Sequence, residues 1–132
     1  MIKYSTPIRN RQSDSIGVIL DSATMDIYSG TQPTNPEDEA VGDLLATIEL
    51  PADALADSVD GVSLINGTWI GLVILGGTAG WFRITCVGYD ATMIIDGTVG
   101  ETADNPDAVL DEKTLVLGGN VVVNTFSLTT PQ

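Results

Sequence analysis

Trp81-Phe82-Arg83-Ile84-Thr85-Cys86-Val87 sets Phe82, Ile84 and Cys86 against Trp81, Arg83 and Thr85, the alternation of a strand with one face in a core. The same period of two runs through Thr24-Met25-Asp26-Ile27-Tyr28-Ser29, with Met25 and Ile27 opposed to Thr24, Asp26 and Tyr28. From Asp43 to Leu50, Leu44, Ala46, Ile48 and Leu50 share one face, and from Ala91 to Asp96, Met93 and Ile95 do. Thr68 to Leu75 is apolar on both faces apart from Gly71, as in a central or covered strand. Lys113 to Leu117 and Val121 to Thr129 complete the set, with Val122, Phe126 and Leu128 on a face with Asn124.

Composition agrees. Isoleucine and valine each occur 12 times and threonine 15 times, while 14 glycines and 6 prolines break the chain into short apolar runs. Long 3.6-residue periodicity is missing. Gly76 to Gly80 reads as a hairpin loop, and Asp96-Gly97 and Gly118-Gly119-Asn120 as turns. Gly30 to Gly42 and Gly100 to Glu112 read as longer loops, and Ala52 to Asp57 as one helical turn or two. The chain of 132 residues is therefore expected to be one all-β domain. About eight short strands at this spacing predict a β-sandwich or jelly roll over residues 16–132, preceded by an extended N-terminal arm over residues 1–15.

The charge is lopsided. Eighteen acids face five basic residues with no histidine, a formal net charge of −13. Such a body is repelled by nucleic-acid backbones and anionic lipid, so neither nucleic acid nor membrane is expected as a partner. Residues 1–11 carry Lys3, Arg9 and Arg11 and no acid; residues 12–132 hold every acid and only two basic residues, a charge of −16. Pro7 argues against a helix through this segment. Lys3, Arg9 and Arg11 are accordingly expected to dock an extended arm on an acidic neighbour.

Chemistry finds little support. Without histidine there is no Ser-His-Asp or Cys-His nucleophile and no His-containing zinc site. Cys86 is the only cysteine, which excludes an intrachain disulfide and a thiolate cluster. It falls on the Phe82/Ile84 face and reads as a core residue. Glu37-Asp38-Glu39 matches no cation-loop spacing, and Asp53, Asp57 and Asp60 read as surface charge. A glycosidase carboxylate pair needs an aromatic platform, and the chain has only seven aromatic residues. Gly76 to Gly80 lacks the Lys-Ser/Thr ending of a phosphate loop. The expectation is a protein that is not an enzyme and takes no cofactor or metal. Arg83 shares a strand face with Trp81, so this pair is expected to form a structural clamp by stacking or through a loop carboxylate, with a partner contact as the alternative. The longest apolar run, Trp69 to Leu75, is far short of the ~20 residues a bilayer needs. The N-terminus lacks the apolar core of a signal peptide, so a chain made in a cytoplasm and left there, or built into something assembled there, is expected.

Three stretches carry a family resemblance: Asp26-Ile27-Tyr28-Ser29-Gly30-Thr31-Gln32-Pro33, Gly77-Thr78-Ala79-Gly80-Trp81-Phe82-Arg83-Ile84, and Asp96-Gly97-Thr98-Val99-Gly100. With Leu44 to Ile48 and the closing Gly118 to Thr129 region, they span most of residues 18–130. In these the chain resembles a family of small structural proteins of tailed bacteriophages. The resemblance implies a capsid cement or decoration protein on the virion exterior, binding the major capsid protein and copies of itself as a dimer or trimer. The alternatives are another virion part, such as a tail or head–tail connector subunit, or a carbohydrate-binding module with an exposed aromatic platform at Trp69, Trp81 or Tyr28.

Overall fold

The computed structural model describes residues 1–86 and 93–129; Val87, Ala91 and Thr92, expected at strand ends, lie outside them. Helix α1 (Thr6–Leu20) is followed by nine strands: β1 (Thr24–Ser29), β2 (Leu44–Glu49), β3 (Val62–Leu64), β4 (Trp69–Val73), β5 (Gly77–Thr85), β6 (Ile94–Gly100), β7 (Ala108–Leu110), β8 (Thr114–Leu115) and β9 (Asn120–Thr129). The domain is all-β in its body, as expected, but it is a barrel and not a sandwich. The order β1-β2-β4-β9-β7-β6-β5 closes because β5 also pairs with β1, with Thr24 opposite Thr85 and Ile27 opposite Phe82. A sandwich needs two sheets with free edges; here the seven strands return on themselves. β3 adds to β9 and β8 to β5 outside the ring. Among the described residues, only β6 and β7 run parallel.

The inward residues fill the barrel. Met25, Ile27, Ile48, Phe82, Ile84 and Val121 are buried in one cluster with Trp69 and Phe126. The Phe126 ring lies 5.2 Å from that of Trp69 and meets Phe82 edge-on at 5.9 Å. Three bulges set which residues point in. Ile27 faces Ala46 while Tyr28 faces Leu44, so the skipped Leu45 turns inward and is buried. Thr125 faces Val109 while Val123 faces Leu110, so parity changes at Asn124. Among the described side chains of β9, Val121, Val123 and Phe126 are therefore the core residues, where strict alternation predicts Val122 with Phe126. On β5 the skipped residue is Gly80, between Trp81 opposite Tyr28 and Ala79 opposite Ser29. A Cβ there would sit 2.0 Å from the Gly30 carbonyl oxygen.

Residues 6–15 are helical and not part of an extended arm; only residues 1–5 precede the helix. Pro7 lies in the first turn of α1, where an amide hydrogen has no intrahelical partner to lose, so it starts the helix instead of preventing it. The helix buries Ser13, Gly17 and Leu20, a spacing of four and three. Ser13 Oγ donates to the Gly61 carbonyl at 3.0 Å, while Asn10 Oδ1 accepts from the Gly61 amide at 2.6 Å and Asp14 Oδ1 from the Ser58 amide at 2.8 Å. Ile16 and Ile19 pack against the core.

Other turns differ from expectation. Gly76 to Gly80 does not join a hairpin, because β4 pairs with β2 and β9 while Gly77 already pairs with Leu115 of β8. Asp96-Gly97 lies inside β6, and the expected loop at 100–112 contains β7. Ala52 to Asp57 is not helical: it bends at Ala52 and Asp53, and Leu55 bridges Ile65. The Asp-Gly turn that does form is Asp60-Gly61, at φ of 54° and 78°, with Val59 and Val62 exchanging both backbone hydrogen bonds.

Gly97 is held by packing, since a Cβ would lie 2.6 Å from the Phe82 ring. Gly97→Val is expected to lower unfolding free energy by about 1–3 kcal/mol through overpacking. Gly76→Ala, at an exposed site whose nearest obstacle is 3.4 Å away, serves as the near-neutral control in the same denaturant titration.

Candidate functional site

Three surfaces hold the residues that composition and alternation single out. The first is a row across the outside of the barrel. Cross-strand register places Thr47 of β2, Asp26 of β1, Arg83 of β5 and Asp96 of β6 side by side. Arg83 grips Asp96 with two bonds, Nε to Oδ1 at 2.8 Å and Nη2 to Oδ2 at 2.9 Å. On its other side Asp26 Oδ1 accepts from the Thr47 hydroxyl at 3.0 Å. The guanidinium carbon sits 5.4 Å from the centre of the Trp81 ring, which Tyr28 stacks at 4.6 Å. The segment leading to Gly42 covers this row, with Trp81 Nε1 donating to the Val41 carbonyl at 3.2 Å. The side chains of Arg83 and Asp96 are 9% and 1% exposed, so the pair works inside the fold.

Burial raises the Asp26 carboxyl above its ordinary value of 3.8, opposed by the Thr47 hydrogen bond. The bond to Asp96 raises the already high pKa of Arg83. Burial also pushes the Cys86 thiol up, which keeps it neutral. At the surface, the Glu101 backbone amide and then Lys113 lower Asp104 below its ordinary range.

The second surface is the N-terminal half of α1. Lys3 and Arg11 are exposed, whereas Arg9 is half-buried with its guanidinium over Gly61, where a Cβ would lie 2.7 Å from Nη2. The structure thus separates the three expected arm residues: Arg9 packs on the body, and Lys3 and Arg11 face outward. Beside Arg11, a shallow groove of about 450 Å³ runs between Ile8, Gln12, Ser15 and Ile16.

The third surface was not anticipated. Ile70, Leu72, Ile74, Leu75, Val116 and Leu117 are between 46% and 69% exposed. They are neighbours: the Gly118 amide donates to the Val73 carbonyl, the Val73 amide to that of Gly119, and Leu72 faces Asn120. The signal was present in the chain, because residues 61–82 and 114–132 contain no charged side chain. Thr68 to Leu75 is apolar on both faces as a central strand is, and β4 is central, between β2 and β9, but it is not covered, because its outward Ile70 and Leu72 stay exposed. The barrel puts the two uncharged stretches together by pairing β4 with β9.

Among the described residues, no group of three or more Asp, Glu or Cys side chains is placed to hold a metal ion. Glu37, Asp38 and Glu39 are exposed. Trp69 and Trp81 are both 0% exposed, which removes them as a sugar-binding platform. Comparison with protein-family models, curated proteins and solved structures gives no match.

Two outcomes test the row. Asp96→Ala strands a buried guanidinium and is expected to cost about 3–5 kcal/mol in chemical denaturation, with Arg83→Met on top restoring part of the loss. Because the Asp26 pKa is raised on folding, its contribution to stability falls as pH rises from 3.8 through the raised value and is least favourable above it. Asp26→Asn is therefore expected to gain on the wild type between acid and neutral pH in paired unfolding titrations.

Proposed function

We propose that the chain is a structural component of a tailed-phage virion, a capsid cement protein that binds the assembled shell from outside and stabilises it without chemistry of its own. The observation that carries this reading is the placing of charge. A body of strongly negative charge presents Arg11, with Ile8 half exposed beside it on α1, and Lys3 just ahead of the helix. Basic heads next to an apolar groove suit an acidic, partly apolar patch on another protein, here the major capsid protein. The negative body keeps the same molecule off packaged DNA. Binding only to the assembled shell would shift the equilibrium toward assembly, and many copies per particle make a modest contact sufficient. The sequence resemblance to small phage structural proteins points the same way.

Quantitative mass spectrometry of native particles is expected to find this chain at the copy number of the major capsid protein or a simple fraction of it. About a dozen copies or fewer would assign it to the tail or connector instead. Lys3→Glu with Arg11→Glu, which leaves Arg9 and Asn10 on Gly61, is expected to fold normally and lose shell attachment. Because both heads are exposed, the wild-type contact should weaken with added salt.

A further inference from the structure

We infer that the uncharged wall formed by β4 and the β8–β9 turn is the face on which two copies of this chain associate. The six apolar side chains of the wall leave on the order of 600 Å² of hydrocarbon open to water, the size at which a patch on a soluble protein marks a contact. A stable interface buries roughly 800 Å² on each partner, so the wall supplies most of one and its polar border, including Asn120 and Asn124, the remainder. Charge selects the occupant. Two molecules of net charge −13 repel each other wherever acids face acids. The wall side chains themselves carry no charge, and the nearest acids, Glu49 on β2 and Asp111 at the Val122 amide, lie at its border, so an identical copy meets repulsion only at the rim. Backbone edge pairing is not required, because β4 already has β2 on one side and β9 on the other. Association therefore proceeds through side chains, and an apolar face meeting its own copy is self-complementary about a symmetry axis.

The test uses the purified full chain in sedimentation equilibrium over a range of protein and salt concentrations. The wild type is expected at a multiple of 13.8 kDa, with association strengthened by salt as the repulsion between acidic bodies is screened. Leu72→Glu and Leu117→Glu are each expected to weaken association about a hundredfold or more, since each buries unpaired carboxylates at the contact. Both positions are more than half exposed, and Leu117 lies in a turn, so circular dichroism and melting should match the wild type. Val59→Glu places the same charge on an equally exposed apolar residue at the Asp60-Gly61 turn and is expected to leave association unchanged. A wild type that stays at 13.8 kDa throughout, or glutamate variants that stay associated, would overturn the inference. A monomeric wild type whose Leu72→Glu variant is lost from particles would assign the wall to the shell, ending this inference and leaving the cement reading intact. Association of the pure chain together with its absence from particles would do the reverse.

Discussion

Everything in this fold depends on the pairing of β1 with β5. Without it the chain would form one open sheet with two free edges; with it, seven strands enclose a common interior. The pairing is possible because Gly80 lets the β5 backbone pass the Gly30 carbonyl at a distance that no Cβ allows. The same junction carries the Arg83 row. Asp26 and Arg83 face each other only when β1 and β5 are in register, and Arg83 then reaches Asp96 on the following strand. The row thus fixes register across four strands on the outside, while Ile27, Phe82 and Ile84 fix it on the inside. A one-residue slip would put the guanidinium into the hydrocarbon interior, so charge and apolar packing select the same alignment.

The strands were legible because a half-buried strand repeats every two residues, and β1, β2, β5 and β9 obey this over most of their lengths. What alternation misses is the bulge. Leu45, Gly80 and Asn124 each shift parity by one, and an inserted residue leaves no mark in hydrophobicity. The two Asp-Gly pairs show the limit of local turn chemistry. Asp60-Gly61 forms a turn because both residues take positive φ there. In Asp96-Gly97 the glycine gives room to the Phe82 ring, and the aspartate is the partner of Arg83. A dipeptide cannot distinguish a glycine needed for its φ from one needed for its missing side chain.

Helix α1 escaped notice for a related reason. An amphipathic helix is read from a stripe of large apolar residues, but the middle of α1 docks through Asn10, Ser13, Asp14 and Gly17, and only its last turns pack Ile16, Ile19 and Leu20 on the core. These bring the helix close enough for side chains to satisfy the backbone groups of Ser58 and Gly61 directly. The contact is polar and local in space, yet separated by more than 40 residues in sequence. Arg9 belongs to it, which is why the basic cluster of the N-terminus divides: one guanidinium secures the turn, and Lys3 and Arg11 remain outward.

The placing of charge follows from topology more than from any single residue. Two uncharged stretches, distant in sequence, become one wall because β4 pairs with β9. The acids fall on the remaining strands and loops. For an acidic protein this arrangement separates charge repulsion from apolar contact. Net charge keeps molecules apart in dilute solution, but at physiological ionic strength the field decays within about 8 Å. Repulsion between two copies is then weak unless acids come nearly into contact, whereas apolar attraction acts only at contact. An uncharged wall lets the second act while the first stays distant. Scattering the same acids evenly would have left the net charge unchanged and removed the uncharged wall.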